Sequence, residues 1–490
     1  MTKNLDLVSR LTEEEKILKT HSLNCISPDD AKYEEASAPL KPYLSASAEW
    51  KACAYVQKVL LETRVEFGQA EQWHLDELNE ALDKFNPLNA ALIEKVSPKE
   101  GGTKHDQLAV IEELGRHISP ETKALLHPGT TSYDILDTAR SYLFKESWNN
   151  IIRPEISNVL EKLCSLSEKS INVLQVGRTH LQNTSPVTFG GMIAGYAGRI
   201  ANRIELCDDY FGDLRGKISG MVGTGAGTEM VIGKGKSIDF EKSVLNKLDL
   251  RPDYTATQIV QKERLADVGH GLTTLMHVLG EDFANDIRMM YSSAIGEVTS
   301  RDNAERIGGS SADALKNNPI NYENAKGKVA VVESGMRVLY ELISSDFQRD
   351  LSGSVQARYQ PQLMMVEIYE SFSRINKALD QLSINEDVMT KNLEPVRNNP
   401  SEAMVAILRG EKWVHPVYGV GHDFVKEMGK RVKKEGKSLL DISLEDSEFK
   451  TLYEDLPENK REILNGKLEN YLGSSDIRAK ENIKYARSVI

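Results

Sequence analysis

The sequence predicts an all-α protein in which several long amphipathic helices pack into a central bundle. Apolar residues recur at spacings of three and four over 193–211, as one buried helix face requires. Pro186, Pro252 and Pro319 bound two long intervals without proline, and long helices can run through much of both. Strand-like alternation is scarce, so we expect β-structure only in short pieces such as 230–232.

The helical pattern divides the chain into three regions. We expect an N-terminal helical region over 1–120, a central long-helix bundle over 121–365 and a C-terminal helical region over 366–490. In the central region, Pro154 suits the first turn of a helix whose apolar residues begin at Ile156. The apolar stripe on these helices is more than one subunit needs to bury, which favours oligomerisation through the bundle. Lysine and glutamate runs near the C-terminus are typical of solvated helix faces.

Composition and charge narrow the classes of function. The chain has 490 residues, of which 40% are hydrophobic and 27% charged, as in an ordinary globular protein with a large core. Its net charge of -12 argues against a nucleic-acid scaffold, because no domain carries a basic surplus to neutralise phosphates. An anionic small molecule is not excluded, since its binding needs only a local cationic pocket.

Targeting signals and cysteine spacing indicate the compartment. The N-terminus lacks the apolar stretch of a secretion signal, and no segment offers about 18 uninterrupted apolar residues. We therefore expect a cytoplasmic protein that is neither secreted nor membrane-spanning. The four cysteines lie far apart without the spacing of a metal site, which is typical of reduced thiols, and we expect Cys207 to pack in a core. Nothing in the sequence calls for a metal or an organic cofactor.

Two glycine-rich segments suggest nucleotide loops but fail the required spacing. The glycines within 223–227 do not fit the dinucleotide-binding fingerprint. Met230 stands where a phosphate-binding loop ending at 235–237 needs glycine. The sequence also contains no HExxH and no GxSxG, so zinc-dependent hydrolysis and a serine-hydrolase elbow lack support.

The segment 309–319 carries the pattern best suited to chemistry on a carboxylate. Ser310 follows two glycines, and Lys316 and Asn318 come six and eight residues later. The lysine and the amide can hold and polarise an acid group while a serine oxygen attacks or takes a proton nearby. The same residues also suit a polar surface loop that leads into Pro319, and the segment alone favours that interpretation.

Further polar segments allow both a catalytic and a structural interpretation. His180 follows a cation and a hydroxyl in 177–182, just ahead of a helix, and can donate a proton near neutral pH, although a lone histidine is more often structural. Thr131 or Ser132 suits the N-cap of a helix around 135–144, and the same donors would bind a carboxylate. The pair of His105 with its acidic neighbour is a weak signal alone.

Taken together and in order, these segments resemble the fumarase/aspartase superfamily, and the adenylosuccinate lyase family most closely. The superfamily signature GSSxMPxKxNP is matched over 309–319, TSxDxxDTA over 131–139 and GRTHxQ over 177–182. Further matches of the adenylosuccinate lyase type lie at 27–33, 103–106, 257–259 and 348–358. These matches span about two thirds of the chain.

The resemblance implies a lyase that removes fumarate from a succinyl-amine by anti-elimination. It implies action on adenylosuccinate, giving AMP, and on succinyl-aminoimidazole-carboxamide ribotide in purine nucleotide biosynthesis. It also implies a fumarase/aspartase-type fold and a homotetramer whose active sites combine segments from three subunits.

Residue roles carry over by position in the matched motifs. Ser310 would be the base and His180 the acid. Lys316 and Asn318 would stabilise the aci-carboxylate. The remaining positions implied to contact the substrate are Lys32, Tyr33, Thr103, His105, Asp106, Thr131, Ser132, Gln258, Arg349, Ser354 and Arg358.

Several positions depart from the family pattern. The residues 313–315 are Asp-Ala-Leu where the signature has Met-Pro-His or Met-Pro-Gly, and Asp313 could pair with Lys316 and blunt its charge. Lys32 replaces an arginine, and a lysine offers only a point charge to phosphate. Three alternatives therefore stay open: the usual substrate with a loop closed by other contacts, a different succinyl-amine, or a catalytically weakened relative.

Overall fold

A computed structural model describes residues 6–301 and 316–490, and over these residues the predicted all-α class is confirmed. Helices form nearly all the regular structure, and the strands are short and occur in pairs. Within these ranges no helix combines the length and the apolar character needed to cross a bilayer.

The α-helices follow one another along the described chain. Up to residue 170 they are Glu13–Asn24, Asp30–Ser37, Lys41–Leu44, Ala46–Glu66, Gln72–Lys84, Pro87–Lys95, Asp106–Leu114, Pro120–Ala124, Ser132–Ser147 and Arg153–Lys169. Up to residue 385 they are Phe189–Gly212, Ala226–Ile232, Ser237–Asn246, Glu263–Met276, Asn285–Met290, Ile320–Leu342, Ser352–Gln356 and Gln360–Gln381. The remainder are Glu386–Asn398, Ser401–Gly410, Gly421–Glu435, Leu439–Leu444, Ser447–Asp455, Glu458–Leu464 and Ser475–Val489.

Short helical segments of other pitch complete the helical structure. Trp148–Ile152 and His277–Ala284 are π-helical. In the first of these, Trp148 and Ile152 are fully buried, whereas the two asparagines at 149–150 are exposed. The 3-10 turns are Val8–Arg10, Ala38–Leu40, Pro98–Glu100 and Leu468–Asn470.

The described strands form four two-stranded sheets. β1 (Leu174–Thr179) pairs antiparallel with β2 (Gln182–Thr188), and β3 (Arg215–Gly216) pairs parallel with β4 (Arg251–Pro252). β5 (Val298–Ser300) pairs antiparallel with β6 (Leu382–Ile384), and β7 (Val414–His415) pairs antiparallel with β8 (Gly419–Val420). Each of these sheets pairs short segments that lie between helices, and none of them forms a separate layer.

Several local predictions are confirmed. The periodic segment 193–211 lies within the helix Phe189–Gly212, and Cys207 on that helix is fully buried. Pro154 lies in the first turn of Arg153–Lys169, which continues directly from the π-helical turn Trp148–Ile152.

Two local predictions are wrong. The apolar run 230–232 is the end of the helix Ala226–Ile232, because three apolar residues are too few to separate a strand from a helical turn. The segment 177–182 does not lead directly into a helix. It forms the end of β1, the turn and the start of β2, and the helix begins only at Phe189.

The described chain forms two compact units. The first unit comprises residues up to 156, 203–277 and 327–373, and the second comprises 157–202, 278–326 and 374–490. In the first unit, the helices Ala46–Glu66 and Ser132–Ser147 contribute many residues to one large apolar core. In the second unit, an aromatic core near the C-terminus includes Trp413, Phe424 and Phe449. The division into three sequence regions stays a prediction.

Candidate active site

The N-terminus of the helix Ser132–Ser147 places Thr131 and Ser132 side by side at the start of its first turn. Thr131 is the N-cap, and its backbone N–H donates to the Asp134 carboxylate at 2.6 Å. The Ser132 hydroxyl lies 3.1 Å from Nε2 of His105. A helix N-terminus with hydroxyls beside it attracts a carboxylate, so the sequence-based interpretation of this segment fits its geometry.

Asp134 fixes this helix end to a second loop. Its side chain is fully buried, and it forms an ion pair with Lys217, which is also fully buried. The backbone N–H groups of Ser219 and Gly220 donate to Asp134 Oδ1 at 3.0 and 3.1 Å. Lys217 also donates to the Gly220 carbonyl at 3.0 Å. One carboxylate therefore sets the position of Thr131 and of the loop that follows Lys217.

His105 joins two of the predicted segments. It is the N-cap of the helix Asp106–Leu114, and its Nδ1 lies 3.3 Å from a carboxylate oxygen of Asp106. The Thr103 hydroxyl donates to the His105 carbonyl at 2.8 Å. Since the other ring nitrogen contacts Ser132, the structure brings together four residues that the resemblance implied.

Arg349 is the centre of a second group in the same unit. Its Nη1 donates to Gln258 Oε1 at 2.9 Å, and its Nη2 donates to the Ser354 hydroxyl at 3.0 Å. The guanidinium lies 3.8 Å from the ring centroid of Tyr133, whose hydroxyl is 2.6 Å from that of Ser354. The guanidinium is thus held flat by an aromatic ring, with its fork oriented by two polar partners.

Arg358 and Lys32 are the other predicted cationic contact residues in the first unit. Arg358 lines a cavity together with Asp106 and Glu94. Burial raises the pKa of the Glu94 carboxyl, and the positive charge of Arg358 works against that rise. Lys32 is exposed, and its ammonium lies 5.3 Å from the ring centroid of Tyr33. The cationic character of the unit is therefore spread over several residues.

In the second unit, His180 lies at the tip of the β1–β2 hairpin. Thr179 pairs with Gln182, so His180 and Leu181 form a two-residue turn. Both have left-handed backbone conformations, with φ of 54° and 60°. Such turns favour glycine and asparagine, so a histidine and a leucine here carry backbone strain. His180 is exposed, and 74% of the Leu181 side chain is accessible.

A buried carboxylate anchors this hairpin. Glu297 is fully buried, and Arg178 donates to both of its oxygens, at 2.5 and 3.0 Å. Gln175 and Asn392 donate to the same carboxylate at 2.7 and 2.9 Å. Gly177 is required between Gln175 and Arg178, since a Cβ there would lie 2.7 Å from the Ser185 carbonyl oxygen. The residue two positions before His180 is therefore held by a bidentate ion pair.

The second unit also contains the described part of the signature segment. Lys316 is exposed, and Asn318 lies just before the helix Ile320–Leu342, with its carbonyl accepting from the Ile320 N–H at 2.9 Å. Ser310 and residues 313–315 lie outside the described residues. The predicted set thus divides between the units, with His180, Lys316 and Asn318 in the second and the other described members in the first.

The sequence interpretation left out His127, which the structure places beside the first group. Its Nδ1 lies 3.0 Å from the Thr130 hydroxyl and 3.3 Å from the Gln57 amide nitrogen. Burial lowers the pKa of His127, with Asp134 opposing and the charge of His105 adding to that effect. His127 lies four residues before Thr131, and helix capping by Thr131 or Ser132 explained the polar residues there without giving the histidine a role.

Comparisons with known proteins agree on one family. A family model described as Lyase matches residues 35–333. The curated adenylosuccinate lyase of Archaeoglobus fulgidus is 27% identical over 473 residues, covering 95% of this chain and 99% of that protein. The adenylosuccinate lyase of Pyrococcus horikoshii is 30% identical over 404 residues, covering 81% and 85%.

Solved structures show the same fold at lower identity. The fumarate lyase of a Mesorhizobium species has a TM-score of 0.75 at 21% identity, covering 91% of this chain and 97% of that one. The 3-carboxy-cis,cis-muconate lactonizing enzyme of Pseudomonas putida has a TM-score of 0.78 at 16% identity, covering 94% and 99%.

Proposed function

The chain belongs to the adenylosuccinate lyase family of the fumarase/aspartase superfamily, and from that premise we propose its substrates and mechanism. As a member it is a C–N lyase that releases fumarate. We propose that it converts adenylosuccinate to AMP and cleaves succinyl-aminoimidazole-carboxamide ribotide in purine nucleotide biosynthesis, as a cytoplasmic homotetramer.

The observation that carries this proposal is the contact between Tyr133 and Arg349. Ser132 and Tyr133 are consecutive, so one helix end joins a carboxylate-binding hydroxyl to an oriented guanidinium. A substrate with a succinyl group at one end and a nucleotide phosphate at the other needs both groups, the hydroxyl for its carboxylate and the guanidinium for its phosphate. Arginine suits phosphate because its planar fork donates two parallel hydrogen bonds.

The proposed reaction is an anti-elimination in which the charge of an intermediate is stabilised by fixed donors. Ser310 removes a proton from the carbon next to one succinyl carboxylate, and the electron pair moves into that group as an aci-carboxylate. Lys316, Asn318 and the Thr131 hydroxyl stabilise its charge. The C–N bond then breaks with its electrons going to nitrogen, and His180 supplies the proton that the leaving amine needs. Fumarate and the free amine are the products.

The strained turn supports the role of His180. Left-handed conformations at two consecutive non-glycine residues persist only where surrounding contacts hold them, and such strain clusters at active sites. The bidentate Arg178–Glu297 pair supplies that hold. We extend the proposal to active sites completed by neighbouring subunits, as the family implies.

Fumarate formation from adenylosuccinate, followed by the ultraviolet change of the purine, tests the proposal. We expect turnover by the wild-type protein and losses of orders of magnitude in Ser310→Ala and His180→Ala, with the tetramer intact by light scattering. A loss of less than about tenfold in either variant would count against its assigned role.

The phosphate assignment has its own matched pair of variants. Arg349→Lys keeps the charge but loses the fork and its stacking, so we expect the KM for adenylosuccinate to rise about tenfold or more. Arg337→Lys changes a surface arginine that is 81% exposed and paired with Glu341, and its KM should match the wild type. Equal KM values in both variants would remove Arg349 from the site.

A second candidate function is fumarate release from a different succinyl-amine. It is favoured by the acidic residue at 313 and by Lys32 in place of arginine, since both weaken the expected anion contacts. This function would be established if the protein forms no fumarate from adenylosuccinate but releases fumarate from a non-nucleotide succinyl-amine. If a folded tetramer forms no fumarate from either substrate, the protein is a catalytically weakened relative. Asp313→Met is then the first variant whose activity should be measured.

A further inference from the structure

Met221 stands between the two groups of candidate substrate contacts in the first unit. Its sulfur lies 3.9 Å from the Thr131 hydroxyl oxygen and 2.8 Å from the Gln258 amide nitrogen. The side chain is 62% exposed, although methionine is usually buried. A long apolar side chain is therefore presented to solvent at the point where the two groups meet.

The orientation of Gln258 is set by its neighbours. Arg349 can only donate, so it requires the carbonyl oxygen of the Gln258 amide, and the NH2 group must turn toward Met221. The Thr131 hydroxyl likewise donates to the sulfur. The thioether is thus the shared acceptor of two donors that belong to different groups.

The main chain at Met221 is anchored as firmly as the groups it joins. The preceding residue, Gly220, donates its N–H to the buried Asp134 carboxylate and accepts a hydrogen bond from Lys217. Gly220 has φ of 77°, which a side chain would strain, so glycine suits the turn that points residue 221 outward. The position of the thioether follows from the same ion pair that orients Thr131.

We propose that Met221 is a specificity-determining residue that contacts the substrate between its succinyl carboxylate and its nucleotide. This inference rests on the proposed function, in which Thr131 holds the acid group and Gln258 the nucleotide. A thioether is a weak acceptor, so substrate oxygens replace it on both donors while its polarisable body packs against the flat base. A molecule that reaches only the Thr131 hydroxyl or only the Gln258 amide gains less binding free energy when it displaces the sulfur.

Oxidation of the sulfur provides a direct probe. Hydrogen peroxide transfers one oxygen atom to a sulfur lone pair, giving methionine sulfoxide and water, with the sulfur oxidised by two electrons and the peroxide reduced. The sulfoxide oxygen is a much stronger acceptor than the thioether. It would hold Thr131 and Gln258 against the substrate, and the KM would rise.

The first experiment compares wild type, Met221→Leu and Met230→Leu before and after peroxide treatment. Met230 is a matched control, because it is 82% exposed and lies nine residues further along the chain. We expect oxidation to raise the KM for adenylosuccinate at least about fivefold in wild type and Met230→Leu, reversibly with methionine sulfoxide reductase. In Met221→Leu the KM before and after treatment should agree.

Two outcomes of that experiment overturn the inference. One is an equal rise of the KM in Met221→Leu, which would assign the effect to another methionine. The other is an unchanged KM in wild type whose Met221 is shown by mass spectrometry to be oxidised.

A second measurement separates this inference from the proposed function. In protein labelled with methyl-13C methionine, the Met221 signal is assigned by its loss in Met221→Leu, and fumarate with AMP is then added. We expect the Met221 signal to shift and the Met230 signal to stay. If wild type makes no fumarate from adenylosuccinate, the proposed substrate fails, and fumarate alone, as the product common to both candidate functions, decides whether Met221 touches the site. An unmoved Met221 signal overturns the inference in either case.

Discussion

Each unit positions its own candidate residues around one fully buried carboxylate, but the two carboxylates are held by different kinds of donor. Asp134 in the first unit accepts from the backbone N–H groups of Thr131, Ser219 and Gly220, besides its pair with Lys217. Its hydrogen bonds therefore fix the main chain directly.

Glu297 in the second unit accepts from side chains. Arg178 supplies two hydrogen bonds, and Gln175 and Asn392 supply one each. Arg178 remains 20% exposed, whereas Lys217 is fully buried. The comparison indicates that the first unit places its loops mainly through backbone N–H groups, which side-chain substitution of the donor residues does not remove. The second unit positions its hairpin through three replaceable side chains.

The largest expected effect is at the Asp134 pair. Asp134→Ala leaves the Lys217 ammonium buried without a counter-charge, and we expect the free energy of unfolding to fall by about 3–5 kcal/mol in urea titrations. The double variant Asp134→Ala/Lys217→Met removes that charge and should recover part of the loss. A double variant no more stable than the single one would contradict the importance of the buried charge.

Glu297→Gln should have a smaller effect on stability and a larger one on turnover. Loss of the charge-assisted bonds to Arg178 should cost about 2 kcal/mol of unfolding free energy. Since the substitution loosens the hairpin that carries His180, we expect kcat to fall by a larger factor than the factor by which KM changes. Glu402→Gln is the matched control, because Glu402 accepts from Ser185 of the same hairpin at an exposed position. A stability loss with unchanged kcat would show that the anchor has no part in catalysis.

The strain in the hairpin turn can be measured separately. Leu181→Gly relieves a left-handed backbone conformation, and we expect the unfolding free energy to rise by about 1 kcal/mol or less. Val187→Gly, at a regular position of β2, should lower it by about 0.5–1 kcal/mol, since glycine costs conformational entropy there. If both variants lower stability equally, the turn is not strained.

The smallest expected effect is the pH dependence due to His127. Burial lowers its pKa in the folded protein, so the unfolded chain binds the proton at higher pH than the folded one. Stability due to neutral His127 is therefore present above about pH 6.5 and is lost as the pH falls further. His127→Gln should flatten this part of the curve of unfolding free energy against pH. An unchanged slope would remove His127 as its source.

Sequence patterns predicted the helices because burial of one face repeats every three to four residues, as it does along Phe189–Gly212. Motif resemblance predicted the groups around Ser132 and Arg349, and the structure brings those residues together. The hairpin at 177–182 was missed, because its residues are largely polar and its turn has no glycine or asparagine at the two left-handed positions.

The two buried carboxylates could not have been identified from local patterns. Asp134 and Lys217 are 83 residues apart, and nothing in helical periodicity indicates which distant charges pair. Arg178 and Glu297 are 119 residues apart, with the same consequence. Met221 gains its significance only because the fold brings Thr131 and Gln258 to either side of its sulfur.

The π-helical turn Trp148–Ile152 has a consequence for how the chain can change in length. A π turn holds one residue more than the α-helical path it replaces, and in this turn the extra length lies at exposed asparagines between two fully buried side chains. Deleting Asn149 or Asn150 would convert the turn to plain α-helix without rotating the faces before or after it. In evolutionary terms, this is a site where relatives can gain or lose one residue while the buried faces of the flanking helices keep their phase.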